Sequence, residues 1–179
     1  MLRILGIDPG LVTGLAEIDY DKEKEKITAI GWGAVNLKTS SKDPLHYRLY
    51  ILEKSLEQWI EHKGLHTEEI DVIGVEENFM PRGTSTVGIK ACGVVESFIG
   101  KLAYDHIPLP LVKVYNFPPA SIKKVIMGKG NASRKDFTKF MWDNVIGNFF
   151  NREKEEKKFL QHKVDALAVA LTALKKEVE

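Results

Sequence analysis

Apolar and polar residues alternate over the first part of the chain, which predicts a β-rich beginning. Strands are predicted over 1–7, 12–18 and 27–37, separated by Pro9-Gly10 and by a charged turn at 21–26. Short turns between consecutive strands indicate an antiparallel meander. Residues 44–63 then repeat apolar positions at helical spacing and predict an amphipathic helix, with Pro44 in its first turn.

Strand and helix patterns alternate along the rest of the chain. Apolar runs at 71–75 and 111–115 predict strands, and helices are predicted over 84–105, 133–147 and about 159–176, with a short helix opening at Pro118-Pro119. The order β-β-β-α-β-α-β-α-α-α predicts an α/β fold, a mixed five-stranded sheet flanked by helices. Without a repeat or a long linker, 1–179 is predicted to be a single domain.

Composition excludes several classes of protein. The single cysteine, Cys92, rules out an internal disulfide and a cysteine-rich metal site, and it fits a reducing, cytoplasmic location. No apolar run approaches the roughly 18 residues that a membrane span needs. Asp8 interrupts the first apolar run, so we do not expect a signal peptide.

The net charge of +1 conceals an uneven distribution. Residues 1–77 hold 9 basic and 15 acidic residues, whereas residues 78–140 hold 10 basic and 3 acidic ones. A basic middle third is typical of proteins that bind a polyanion. Charge alone fits a lysine-rich solvated surface at least as well.

Three acidic residues stand where folding alone does not call for a charge. Asp8 ends the first strand, Glu76 ends a buried strand, and Asp165 lies in a helix that is apolar on nearly every face. Burying unpaired carboxylates is costly, so a cluster of them favours a divalent cation. Mg²⁺ prefers such oxygen ligands, and two ions about 3.5–4 Å apart would support phosphodiester hydrolysis.

Each of these residues also has an ordinary structural interpretation. Asp8 suits a turn before Pro9-Gly10, and Glu76 or its neighbour Glu77 would suit a solvent-facing strand end. Asp165 would have its charge balanced if it paired with a lysine such as Lys124. His162 shares a helix face with Asp165 and would bind metal or carry a proton, unless it is simply a surface residue.

Four segments resemble motifs of the RuvC family of Holliday-junction resolvases, which have the RNase H-like fold. They are ILGIDPG at 4–10 with Thr13-Gly14 after it, VEENFM at 75–80, GKGNASRK at 128–135 and DALAVA at 165–170. The segments occur in the order of the family and cover nearly the whole chain. The first motif is weakly specific, whereas the four together are strongly specific.

The resemblance implies a Mg²⁺-dependent endodeoxyribonuclease that resolves four-way junction DNA by paired nicking in recombination and repair. It implies that Asp8, Glu76 and Asp165 bind two Mg²⁺ ions, with Mn²⁺ as a substitute. His162 stands where many members have a fourth acid, so it would be a metal ligand or a proton carrier. Glu77 is the alternative to Glu76, although the strand period of two directs it to the other face.

The resemblance also implies roles for basic and aromatic residues. Lys123, Arg134 and Lys135 match or neighbour DNA-contacting positions of the family and would neutralise phosphates. Arg82 would reach the same DNA strand. Phe79 matches an aromatic that the family places at the junction, where it would stack on an exposed base. From the residues alone, a core phenylalanine after a strand is the favoured interpretation.

Members of the family act as homodimers, and the small-residue helix 84–105 matches the region used for pairing. Gly88 and Gly93 would then permit close approach of two helices, unless they pack on the protein's own sheet. A two-fold dimer would suit the approximate two-fold symmetry of a four-way junction. Branch-migration motor proteins are further partners that the resemblance implies.

Three other functions compete with a strict resolvase. The Gly6-x-Asp8-x-Gly10 pattern also resembles the phosphate loop of actin-like ATPases, but these need two such domains, which 179 residues without a repeat do not supply. A broader nuclease that cuts flaps and other branched DNA fits the same residues. A non-catalytic DNA-binding module fits less well, because Asp8, Glu76 and Asp165 are all retained.

Overall fold

The computed structural model describes residues 1–36, 42–62, 70–77, 85–104, 112–150 and 160–179. The strands are β1 (Leu2–Asp8), β2 (Val12–Asp21), β3 (Lys26–Asn36), β4 (Val72–Glu76) and β5 (Lys113–Phe117). The helices are α1 (Leu45–His62), α2 (Thr86–Tyr104), α3 (Pro119–Met127), α4 (Arg134–Asn144) and α5 (Leu160–Val178), with a 3₁₀ turn at Ile146–Asn148. This order confirms the predicted one.

The strands form one mixed sheet in the order β3-β2-β1-β4-β5. The meander β1-β2-β3 is antiparallel, whereas β4 and β5 run parallel to β1. The carboxyl ends of β1, β4 and β5 therefore lie at the same edge of the sheet. Asp8 and Glu76, the last residues of β1 and β4, both belong to this edge.

Helices cover both faces of the sheet, as the predicted fold class requires. Helices α1 and α2 pack on one face, where Leu52, Leu56 and Val95 lie in the same buried cluster as Leu5 and Ile73. Helices α3, α4 and α5 pack on the other face. On that side the buried cluster contains Ile122, Met141 and Leu167 together with strand residues such as Ile4 and Val72.

Glycines in the sheet allow α5 to approach it closely. A Cβ atom on Gly6 would lie 2.2 Å from the carbonyl oxygen of Ala166, and one on Gly14 would lie 2.0 Å from that of His162. Both distances are far below van der Waals contact, so only glycine fits while α5 keeps this position. The glycines of the first motif thus set the depth at which α5 carries its polar residues.

Only part of the surface of helix α2 is buried in the protein's own core. Gly88 is buried, whereas Gly93 is exposed and a Cβ atom there would meet no heavy atom within 4 Å among the residues that the structure describes. Gly88 therefore belongs to the buried face of α2, whereas nothing in the described part of the chain accounts for Gly93. No helix in the described part of the chain is long and apolar enough to cross a membrane.

Candidate active site

Two acids meet at the carboxyl edge of the sheet because their strands are paired in register. Ile7 of β1 lies opposite Val75 of β4, so Asp8 and Glu76 leave the two strands at the same level. The turn after Asp8 is closed by Thr13, whose buried hydroxyl donates to the carbonyl oxygen of Gly10 at 3.1 Å. This bond gives Thr13 a structural reason for its place in the motif.

Helix α5 brings the other two predicted residues to the same edge. His162 and Asp165 share one helix face, and Nδ1 of His162 lies 2.7 Å from Oδ2 of Asp8. The imidazole is about one-third exposed and the Asp8 carboxylate is largely buried. An N–H at Nδ1 donates to the carboxylate, which leaves Nε2 as the ring nitrogen available to a second partner.

Both carboxylate oxygens of Asp165 are engaged by neighbouring side chains. Arg134 at the start of α4 contacts Oδ2 at 3.0 Å, and the amide nitrogen of Gln161 donates to Oδ1 at 2.7 Å. The hydroxyl of Thr138 on α4 lies 2.7 Å from Oε1 of the same Gln161. Asp165 forms its ion pair with Arg134 and not with Lys124, the partner considered from the sequence.

The start of α4 is fixed by local sequence, and this places Arg134 beside Asp165. Ser133 caps the helix by accepting a hydrogen bond from the backbone N–H of Asp136 at 3.1 Å. Helix α3 ends at Met127 and is capped by Gly128, whose φ of 77° lies in the left-handed region that favours glycine. The ammonium of Lys123 donates to the carbonyl oxygen of Ala132 at 2.9 Å and so ties the intervening loop to α3.

The crowding of negative charge changes the titration of the site. Burial, followed by the negative charges of Asp8 and Asp165, raises the pKa of Glu76 from its ordinary 4.5 to about 8. Burial also raises the pKa of Asp8, against the lowering effect of its hydrogen bond to His162. The same bond raises the pKa of His162. Taken together, the three raised pKa values indicate that the site carries too little positive charge to balance its acids.

The carboxylate and imidazole groups of the site suit a hard divalent cation, although they are not already arranged around one point among the described residues. Among the described residues, no three His, Cys, Asp or Glu side chains are arranged to hold a metal ion as they stand. His162 contacts one oxygen of Asp8, while Arg134 and Gln161 contact the two oxygens of Asp165. Carboxylates whose pKa values are raised by burial and by mutual repulsion fit a bound cation, because it would supply the missing positive charge.

The structure brings together most of the residues that the sequence singled out. Glu76, Asp165, Lys123 and Arg134 line one cleft, whose apolar wall is formed by Pro119, Ile122, Phe137 and Ala168. Lys135 is exposed next to Arg134. Phe79 and Arg82 lie outside the described residues. Glu77 is absent from this cleft and lines a groove beside α2, to which Glu76 also contributes.

Sequence reasoning missed Gln161 and Thr138. The spacing of four between Gln161 and Asp165 was a usable signal, because such residues are neighbours on a helix surface. Nothing in the sequence indicated Thr138, since its contact with Gln161 depends on how α4 packs against α5.

The raised pKa values predict that the metal-free protein loses stability as the pH rises. Glu76 keeps its proton in the folded chain between about pH 4.5 and 8, where an unfolded chain would have released it. The raised pKa of Asp8 acts in the same direction, and the stabilising bond of protonated His162 is also lost as the pH rises. We expect Tm in EDTA to fall by roughly 5 °C or more between pH 5 and pH 8.

Glu76→Gln is the control for this prediction, because it removes the carboxylate and retains its shape. It should flatten the decline and raise Tm at pH 8, and saturating Mg²⁺ should raise the Tm of the unaltered chain there. A Tm in EDTA that is constant or rising over this pH range would contradict the electrostatic description.

The fold and the site together define a class of protein. A mixed sheet in the order β3-β2-β1-β4-β5, with acids at the ends of the neighbouring strands β1 and β4 and on the last helix, is an RNase H-like fold. Thermus thermophilus RuvC has this fold, with a TM-score of 0.66 at 22% identity over 96% of this chain and 92% of that one. The fowlpox virus resolvase gives 0.62 at 14% identity, covering 99% and 100% of the two chains.

Sequence comparison narrows the class to one family. The family model described as crossover junction endodeoxyribonuclease RuvC matches residues 4–173. RuvC of Paenarthrobacter aurescens is 31% identical over 174 residues, which is 96% of this chain and 80% of that protein. The chain belongs to the RuvC family of endodeoxyribonucleases, and the family assignment made from the four sequence segments is confirmed.

Proposed function

We propose that this protein is a crossover-junction endodeoxyribonuclease that resolves Holliday junctions by paired, metal-dependent nicking. The observation that carries the proposal is the meeting of Asp8, Glu76 and Asp165 at one edge of the sheet in a chain of the RuvC family. A Thermus thermophilus RuvC of the same fold has been solved with a Holliday junction substrate.

Asp8, Glu76 and Asp165 are the residues that would hold two Mg²⁺ ions, with Mn²⁺ as a substitute. When bound, the ions would lower the pKa of a water and stabilise the leaving oxygen of the phosphodiester. His162 completes the site. Its bond to Asp8 fixes the ring through Nδ1, so that Nε2 would serve either as a metal ligand or as the atom that takes a proton.

Basic residues beside the acids supply the proposed DNA contacts. Lys123 and Arg134 line the cleft that contains Glu76 and Asp165, so they would bind the phosphates that flank the cleaved bond. Lys135, exposed at the start of α4, would extend this contact. Phe79 and Arg82 complete the proposal, through stacking on a base at the crossover and through a phosphate contact.

Helix α2 is the proposed pairing surface of a homodimer. Ile89, Gly93, Gly100 and Tyr104 follow one another at helical spacing, and both Ile89 and Tyr104 are about half exposed. Cβ atoms on Gly93 and Gly100 would meet no other heavy atom of the described residues within 4 Å. Each glycine costs the helix about 1 kcal/mol, a cost that close approach of a second helix would explain. A cytoplasmic location and branch-migration motor proteins as partners belong to the same proposal.

The experiment that tests this function compares end-labelled four-way junction, flap and linear duplex DNA, with and without Mg²⁺. We expect symmetric paired nicks in the junction, only when Mg²⁺ is present. Equal cleavage of flaps would replace the resolvase by a general branched-DNA nuclease with the same site. Absence of cleavage in every substrate, with junction binding retained, would identify a non-catalytic DNA-binding module.

A further inference from the structure

The two oxygens of Asp165 have neighbours of different character. Oδ2 contacts the guanidinium of Arg134, whose side chain is 66% exposed, while Asp165 itself is 15% exposed. Oδ1 accepts a hydrogen bond from Gln161, a neutral residue one turn earlier on the same helix. The guanidinium at Oδ2 opposes a metal ion there, whereas the neutral amide at Oδ1 adds no positive charge and leaves Oδ2 for a metal ion once Arg134 moves away.

We propose that Gln161 is a positioning residue that holds Asp165 in the orientation required for metal binding, an inference that rests on the proposed role of Asp165. The amide reaches Oδ1 at 2.7 Å from a fixed point on α5, so it restricts rotation of the carboxylate. Only the amide nitrogen can donate to a carboxylate, which sets the orientation of the amide group and directs its oxygen away from Asp165.

Thr138 extends this support to a second helix. Its hydroxyl, which also lies 2.9 Å from the carbonyl oxygen of Arg134, is 2.7 Å from Oε1 of Gln161. The row Thr138, Gln161, Asp165 therefore links α4 to the carboxylate through two side-chain contacts. Outer partners that orient metal ligands in this way typically contribute 10–100-fold to metal affinity.

Arg134 contacts the same carboxylate but should have the opposite effect on its binding of a metal ion. Its guanidinium contacts Oδ2 at 3.0 Å, and it is exposed enough to move to a phosphate. Loss of Arg134 should therefore strengthen metal binding to the DNA-free protein, and loss of Gln161 should weaken it. Opposite effects from two residues that contact one side chain separate positioning from general disturbance of the site.

The test is titration of the DNA-free protein with Mn²⁺, followed by the electron paramagnetic resonance of the free ion. We expect Gln161→Ala to weaken Mn²⁺ binding about tenfold, Thr138→Val to weaken it less, and Thr138→Ser to restore it by returning the hydroxyl. Arg134→Gln should bind Mn²⁺ more tightly than the unaltered chain. Junction affinity in EDTA should be unchanged in Gln161→Ala, and Thr138→Val should add nothing to that variant.

Asp165→Asn distinguishes failure of this inference from failure of the proposed function. Wild-type Mn²⁺ affinity in Gln161→Ala, together with weakened binding in Asp165→Asn, would overturn the role of Gln161 and leave the metal site in place. Wild-type affinity in both variants would overturn the role of Asp165, and the positioning role with it. A drop in Gln161→Ala accompanied by loss of Tm in EDTA and of junction binding would also overturn the inference, because it would indicate unfolding.

Discussion

Asn in place of Asp8 or of Asp165 is expected to abolish cleavage of a four-way junction while the junction is still bound. The change removes a negative charge and retains the size of the side chain, so the fold should persist. Without the charge the site would hold its metal ions poorly, and metal ions contribute several kcal/mol to the stabilisation of such a transition state. We expect a loss of about 10³-fold or more in the single-turnover rate.

Matched variants make this measurement specific. Glu76→Gln should resemble the two Asn variants. Glu77→Gln should not, because Glu77 lines the groove beside α2 instead of the cleft. Asp143→Asn removes an acid on the surface of α4, where it pairs with Lys139. Normal cleavage by either Asn variant at Asp8 or Asp165 would show that the site has been assigned wrongly.

Junction binding should respond differently. Binding in Ca²⁺ or EDTA depends on phosphate contacts by basic residues, so the carboxylate variants should keep or slightly improve it. Asp165→Asn also releases Arg134 from its ion pair, which makes that guanidinium more available to a phosphate.

The fold was predictable from the sequence because its elements have strong and distinct periodicities. Alternation predicted β1 to β3, and the apolar run 71–75 predicted the buried strand β4, whose first four residues are all buried. Periodicity predicts elements one at a time. It does not give the register that sets Ile7 opposite Val75 and brings Asp8 level with Glu76.

The glycines show where a pattern was visible and its reason was not. Gly6 and Gly14 were recognisable as parts of a motif, and the sequence gives no sign that the backbone of α5 would pass over both of them. That passage determines the distance between His162 and Asp8. The four proposed metal-site residues could be chosen from the sequence, whereas the hydrogen bonds and ion pairs that they form could not.

The partners of Asp165 illustrate the same limit. From the sequence, a lysine such as Lys124 was as reasonable a partner as any other basic residue. The choice of Arg134 depends on the cap at Ser133, which fixes where α4 begins, and on the packing of α4 against α5. Contacts between helices that are distant in the chain follow from tertiary packing, which no local pattern encodes.

Gly93→Arg is expected to convert the proposed dimer into a monomer and to abolish paired nicking. A side chain at this position meets nothing in the described part of the chain, so the monomer should fold normally. In a closely packed pair of α2 helices, two arginines would collide and repel each other at the centre of the interface. Gly93→Ala should stabilise the isolated helix by about 1 kcal/mol and still weaken the dimer.

Two measurements check this prediction: molar mass by light scattering, and the products formed from a cruciform plasmid. Paired nicks within one encounter give linear plasmid, whereas independent nicks give open circles. Gln58→Arg adds the same charge at an exposed position on α1 and should remain dimeric and give linear product. A dimeric Gly93→Arg that still gives linear product would place the pairing surface elsewhere, and Gly93 and Gly100 would then lose the only reason we have for them.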